Sequence, residues 1–400
     1  MKILIVTQYF WPENFKINDI AHGLKECGHD VIIITGKPNY PSGKFLNGYT
    51  FWNKREEFWN GIKIYRSFLI PRGKGRGLQL FCNYISFAIF GSFRILLIRN
   101  TFDKIIVFQP SPITVGIPAL IAKYKFKAPI YFWVQDLWPA SLSAAGGITN
   151  KYILNFFNNL TKFIYRYSTK ILVQSKAFIP YIVKQNINLE KLVYFPNTTE
   201  NFYQCKITNF KLLSTMPKGF KIMFAGNIGE SQSFDTLLTT AKMLKDENIQ
   251  INWLILGDGR LKKYVEAKVI EYGLENNFHL LGSYPSDLMP DYFSCADVLL
   301  VSLKQDPIFS LTIPSKIQSY LACGKPIIAS LNGEGARIIK EAQAGFTTKA
   351  EDPIDLKLAI KKAFLLSEPE LLQLGKNART YFEAEFERGQ LIKKLELILS

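Results

Sequence analysis

Short β-rich apolar runs alternate with helical stretches along this chain, and the alternation restarts near its middle. The first series is "KILIVTQYF", "HDVIIITG", "DKIIVFQ", "PIYFWVQDL" and "TKILVQS", with a helix expected near 16–27 and closed by Gly28. Strands and helices alternating at this spacing specify a doubly wound parallel sheet. The second series begins at "FKIMFAGNIG" (220–229) and continues through "NWLILGDG", "NFHLLGSY", "ADVLLVS" and "KPIIAS". A restart means a second domain of the same class, which suits a chain of 400 residues. Pro196, Asn197 and Thr198 break the periodicity, so the expected domains are 1–200 and 201–375. A last amphipathic helix around 377–399, within a C-terminal stretch of about 376–400, is expected to pack back on the first domain. The expected fold is α/β, two doubly wound parallel sheets facing across a cleft where ligands meet the carboxyl ends of the strands.

Charge narrows what that cleft holds. There are 49 Lys+Arg against 33 Asp+Glu, a net +16, which favours a polyanion: nucleic acid, an anionic membrane face or a phosphorylated small molecule. With 48% hydrophobic and 20% charged residues, long disorder is excluded. Cys27, Cys82, Cys205, Cys295 and Cys323 are scattered without a C-x-x-C pair, as reduced thiols of a cytoplasmic protein are. Three histidines and no two aspartates two positions apart leave a metal mechanism little to work with. The N-terminus starts on a strand pattern without a secretory signal. One apolar run, "LQLFCNYISFAIFGSFRILLI" (78–98), follows the basic loop "IPRGKGRG" and is interrupted by Gln79, Asn83, Ser86, Ser92 and Arg94. It reads as a long helix packed on a sheet or as one lying in a membrane interface, ahead of a true span.

Several strand ends carry chemistry. "AGNIGESQSF" sets Gly226 and Gly229 between a strand and a helix, where a phosphate or sugar can approach the backbone amides; a tight turn needs glycine in any case. "LGDGRLKK" repeats the device at Gly257, Asp258 and Gly259 and adds Arg260, either a phosphate fork or a solvated cation. Neither loop is G-x-G-x-x-G, and "QYFWPENFKIN" contains no glycine, so a nicotinamide dehydrogenase is disfavoured. In "SLTIPSKIQSYLACGKPIIAS" (310–330), Pro314 fixes the first turn of a helix that Thr312 or Ser315 can cap. The free amides and the dipole there make an anion site, strengthened by Lys316; a well-capped surface helix would read the same. In "WVQDLWPAS", Asp136 leaves a strand among large aromatics, either as a base or hydrogen-bond acceptor with a raised pKa, or as a cap for the turn at Pro139. Glu13, Asn14 and Asn18 follow the first strand, placed to touch an acceptor or to cap the first helix.

In order along the chain, "MKILIVTQYFWPENFKINDIA", "GHDVIIITGKPNYPSGKF", "WVQDLWPAS", "FAGNIG", "LGDGR", "GSYP", "LTIPSKIQSYLACGKPIIA" and "NGEGARIIKEAQAGF" resemble the family-four retaining glycosyltransferases of the GT-B fold. The resemblance runs from residue 1 to about 390, and is strongest to the branch that builds bacterial O-antigens and capsules, including the L-fucosamine transferase-like enzymes. It implies two Rossmann-like domains, with acceptor bound mainly by the N-terminal one and a nucleotide sugar by the C-terminal one. It implies that Gly226, Asn227 and Gly229 approach the donor diphosphate, with Asp258 also on the donor side. Arg260 and Lys316 would supply charge, and the amides of Ile313, Pro314's neighbours and Ser315 to Lys316 would hold phosphate. Tyr284 would lie near the nucleobase and Asp136 near the sugar and the acceptor hydroxyl. The family's two glutamates eight positions apart fall here on Leu311 and Ser319, and its Arg and Lys after the "GN" turn fall on Ile228 and Gln232. Glu334 stands as the substitute carboxylate.

The resemblance therefore implies transfer, with retention, of an amino or deoxyamino hexose from a UDP-linked donor to a polyprenyl diphosphate-linked saccharide. No cofactor or metal is expected; the helix-start amides, Lys316 and Arg260 must meet the developing diphosphate charge. The enzyme is expected in the cytoplasm, peripheral to the anionic inner face of the membrane. A nucleotide-sugar 2-epimerase of the same fold is the rival enzyme, but it wants acid and base residues around the sugar, where only Asp136 and Glu334 offer themselves. A basic nucleic-acid-binding protein is the non-enzymatic rival; it wants clustered cations, whereas Lys and Arg occur throughout both halves, so no nucleic acid partner is expected.

Overall fold

The computed structural model describes residues 1–75, 77–142 and 149–400, which leaves Arg76 of the basic loop outside the described residues. The chain divides into two units, Met1–Asn197 with Leu391–Ser400, and Thr198–Gln390. Of the stretch 376–400, only the last ten residues belong to the first unit.

The first unit runs β1 (Lys2–Thr7), α1 (Lys16–Glu26), β2 (Asp30–Gly36), β3 (Glu56–Trp59), β4 (Ile62–Ser67), α2 (Gly77–Leu97), β5 (Lys104–Gln109), α3 (Gly116–Phe126), β6 (Ile130–Val134), α4 (Lys151–Tyr167), β7 (Lys170–Val173), α5 (Phe178–Val183) and β8 (Leu192–Tyr194). Its sheet has the order β3-β4-β2-β1-β5-β6-β7-β8, parallel except for the β3–β4 pair. Ile3, Leu4, Ile5 and Val6 are fully buried, because helices cover both faces and every side chain of the strand meets one. One face packs α1; the other packs α2 and α3, with α4 against α3.

The second unit runs α6 (Phe210–Leu213), β9 (Phe220–Ala225), α7 (Phe234–Asp246), β10 (Ile251–Leu256), α8 (Lys262–Glu271), β11 (Phe278–Gly282), α9 (Met289–Ser294), β12 (Val298–Ser302), α10 (Pro307–Leu311), α11 (Ser315–Ala322), β13 (Ile327–Ser330), α12 (Glu334–Glu341), β14 (Gly345–Thr348), α13 (Pro353–Phe364) and α14 (Glu368–Glu385). All pairs in its sheet, ordered β11-β10-β9-β12-β13-β14, are parallel. The order reverses between β9 and β12, and such switch points open a crevice at the strand carboxyl ends.

Several features depart from the sequence-based reading, among them the edge strands β8 and β14, which went unread. The β3–β4 hairpin went unread, although Asn60 (φ 47°) and Gly61 (φ 74°) between Trp59 and Ile62 are the positive-φ pair of a type I′ turn. The helix expected around 377–399 is two, α14 and α15 (Arg388–Leu399). Phe386 is fully buried at the break, and the Glu387 carboxylate accepts from the Gly389 and Gln390 amides at 2.8 Å, capping the second helix. Leu391, Ile392, Leu395 and Leu399 of α15 complete the core beneath α1.

Candidate functional site

At the carboxyl end of β9 the second unit opens a pocket of about 510 Å³, walled by Gly226, Asn227, Gly257, Asp258, Tyr284, Ser315 and Lys316, with Tyr203, Ser319 and Tyr320 below. Its floor is made of backbone. Gly226 has φ +142°, and a Cβ there would meet the Lys316 Cε at 2.5 Å. Gly257 has φ +144°, and a Cβ there would lie 1.9 Å from the Gly226 carbonyl oxygen. These two glycines therefore let two strand-end turns and a lysine share one small space. The turns lock together: the Gly226 amide donates to the Leu256 carbonyl and the Ile228 amide to the Asp258 carbonyl, both at 2.8 Å.

Helix α11 starts in this pocket. Pro314 is its N-cap and no side chain caps its first turn; Thr312 instead donates to the Phe309 carbonyl, so the expected capping is not made. The Tyr320 hydroxyl, one turn after Lys316, accepts from the Ala225 amide at 3.1 Å and pins the helix to the end of β9. Lys316 Nζ lies 2.5 Å from Gln232 Oε1 and 3.6 Å above the Phe224 ring. Burial without a carboxylate partner lowers its pKa to about 7. An uncapped helix start, glycine-lined backbone and a desolvated lysine make a site for an anion, and most of all for a diphosphate.

Residues 208–381 match the family described as glycosyl transferases group 1. The match covers less than half of the chain. It is 25% identical over 340 residues to the putative colanic acid biosynthesis glycosyl transferase WcaI of Escherichia coli, covering 81% of this chain and 82% of that one. It is also 26% identical over 266 residues to the probable glycosyltransferase WbjE of Pseudomonas aeruginosa, covering 63% of each. Among solved structures, Anabaena Alr3699/HepE in complex with UDP superposes with a TM-score of 0.70 at 13% identity, covering 100% of this chain and 99% of that one. This likeness carries the fold, GT-B, in agreement with the sequence resemblance.

Within the second unit, the pocket gathers Gly226, Asn227, Asp258, Tyr284, Ser315 and Lys316 from the expected residues. Gly229, Thr312, Ile313 and Pro314 stand outside its walls. Arg260 is a correction: it is exposed and lines no part of the pocket, because the Leu261 amide is tied to the Ile228 carbonyl at 3.0 Å and the turn carries Arg260 outward. Glu334 is another: it is buried, its carboxylate forked by Arg337 at 2.8 and 2.9 Å, as part of α12 and not of the pocket. Ile228, at a position the family gives to a cation, is a fully buried core residue. Gln232, at the other, holds Lys316, so the cation comes from α11 instead of the glycine turn. Tyr320 was missed and Ser319 was read only as the place of an absent glutamate, yet their spacing of four from Lys316 and Ser315 put them on the same helix face.

The remaining candidates belong to the first unit. Glu13 is buried, its Oε1 accepting from the Asn39 and Tyr40 amides at 2.8 and 2.7 Å, and burial raises its pKa to about 7. Asn18 donates to the Glu13 carbonyl at 2.7 Å and accepts from the Trp11 amide at 3.2 Å. Both therefore brace loops, and neither caps α1, whose N-cap Phe15 receives no side-chain bond. Asn14 is exposed. Asp136 follows β6 and lines a separate chamber; burial raises its pKa to about 6 against the pull of Ser141 and Trp138.

Proposed function

We propose that the protein transfers a sugar from a UDP-linked donor to a lipid-linked saccharide in the synthesis of a bacterial capsule or O-antigen. The single observation that carries the donor half is the anion pocket, in which glycine-lined turns, the start of α11 and Lys316 converge. The UDP bound by Alr3699/HepE and the surface-polysaccharide names of the relatives support the same reading. Tyr284, with its ring 4.6 Å from that of Tyr292, offers a face to the nucleobase.

In this reading the bond between the anomeric carbon and the donor's β-phosphate oxygen breaks as the acceptor hydroxyl attaches from the same side. The departing diphosphate oxygen takes the hydroxyl's proton, so the anomeric configuration is retained. The α11 amides and Lys316, already in place before the reaction, meet the charge that grows on that oxygen. No metal is needed for this step, and the acceptor is carried on a polyprenyl diphosphate at the anionic inner face of the membrane. The sugar is an amino or deoxyamino hexose.

Thermal unfolding against a panel of nucleotides and nucleotide sugars tests the donor. UDP or a UDP-sugar should raise the midpoint, with and without EDTA; a chain indifferent to every nucleoside diphosphate would end this reading. Product released from UDP-sugar without any acceptor would turn it into an epimerase.

A further inference from the structure

The first unit contains a second and larger chamber, about 960 Å³, between α2 and α4. Leu80, Phe81, Trp138, Ile153 and Phe156 make its walls, and Asp136, Ser111 and Ser141 are among its few polar groups. Tyr152 and Phe156 at one end are 88% and 61% exposed, and Asp136 stands at the other beside the end of β6. A chamber so apolar suits neither a nucleotide nor a bare sugar.

The helices beside it carry apolar residues on both faces. The buried face of α2 holds Phe87 and Ile95 together with two of its polar interruptions: Asn83 accepts from Gln8 at 2.7 Å and donates to the Ile70 carbonyl, and Ser86 accepts from the Ile70 amide at 2.9 Å. The large apolar residues Phe81, Phe93, Leu96 and Leu97 face outward, more than half exposed. On α4, Tyr152, Phe156 and Phe163 also face outward, 48% exposed or more. A set of large apolar residues exposed in this way marks a surface that meets an apolar partner.

Charge completes the pattern. The cations run throughout the chain, but the acids do not: between Glu57 and Glu190 there are only Asp103 and Asp136, against 17 Lys+Arg. That segment carries +15 of the chain's +16 and contains α2, α3 and α4. An apolar aromatic surface framed by cations and almost free of carboxylates complements an anionic bilayer.

We infer that this chamber binds the hydrocarbon chain of a polyprenyl diphosphate carrier, entered from an anionic bilayer against which α2 and α4 lie. The hydrocarbon chain fills the chamber from the aromatic mouth at Tyr152 and Phe156, and the diphosphate and saccharide emerge past Asp136, since the described walls hold no cation for a diphosphate. The inference rests on the lipid-linked acceptor of the proposed function and adds the place where the lipid is held.

Farnesyl diphosphate is the probe, titrated into the full chain by calorimetry beside inorganic diphosphate, which separates the chain from its phosphates. Farnesyl diphosphate should bind at least about tenfold more tightly, since only it buries apolar surface. Ile153→Trp, which fills the chamber from a half-exposed position, should weaken it by about tenfold or more while the unfolding midpoint and its shift by UDP stay as in wild type. Phe93→Glu should abolish flotation with phosphatidylglycerol vesicles and leave farnesyl diphosphate binding intact. Equal affinity for the two diphosphates, insensitivity to Ile153→Trp, or preference for a DNA duplex over those vesicles would overturn the inference. The UDP shift fails separately, if it fails, and would count against the donor reading alone.

Discussion

In the proposed reading the donor site turns on Lys316. Among the described residues its ammonium is the one cation of the pocket walls, and no carboxylate holds it. Lys316→Ala should therefore lower the rate of transfer by about 10²-fold or more, the usual scale for losing a preset contact to a developing oxyanion. Wild-type turnover in a purified assay would remove it from the mechanism. The pH dependence follows from its burial, which brings the pKa down to about 7. Above that pH the free protein holds Lys316 increasingly neutral, whereas a bound diphosphate favours the ammonium and draws in a proton. Affinity for UDP should thus weaken as pH rises past 7, by up to about tenfold per unit, and Lys316→Met should flatten that slope. Calorimetry in buffers of different ionisation heat would register the proton uptake directly. Without ligand the sign is reversed. The unfolded chain carries the proton up to the ordinary lysine pKa, so folding stability rises with pH from about 7 toward 10.5.

At the scale of elements, the site is a property of turns. Gly226→Ala forces a Cβ against the Lys316 stem at a φ that side chains avoid. It should cost about 1–3 kcal/mol of stability in denaturant titration and abolish stabilisation by UDP. The Asn60–Gly61 turn gives a control in the other unit. Gly61→Val, at φ 74°, should lose about 1–2 kcal/mol and leave UDP affinity unchanged. These elements also show what the sequence made legible. Both sheets were readable because buried parallel strands are continuous apolar runs, and the glycine turns because their residues stand between such runs. The β3–β4 hairpin escaped because "EEFW" opens on two charges at a sheet edge and carries no apolar run. Glu334 and Arg260 misled for a different reason: residue type fixes a charge, but the packing around α12 and the Gly259 turn decides which way it points. That Asn83 and Ser86 of α2 face inward was invisible in a list of interruptions, since only the sheet shows which side they occupy.

At the scale of the molecule, the two units hold different chemistry, a glycine-turn pocket with a buried lysine in one and an apolar chamber lined by Asp136 in the other. If they serve one reaction, donor binding and acceptor handling should separate by mutation. Asp136 has its pKa raised to about 6 by burial, so it is a carboxylate at neutral pH and the acid form below. As the acceptor for the attacking hydroxyl's hydrogen bond it is competent only when ionised. The rate of transfer should accordingly climb with pH through about 6 and level off above it. Asp136→Asn should remove that limb and lower the plateau by about 10²-fold, because an amide oxygen orients a hydroxyl without a full negative charge to favour it. UDP affinity should stay within about twofold of wild type, in contrast to Lys316→Ala, which weakens both. A wild-type pH profile in Asp136→Asn would assign the acid limb elsewhere, and Glu13, with its pKa raised to about 7, would be the next carboxyl to change. A fall in UDP affinity matching the fall in rate would instead show that the two units do not divide the work in this way.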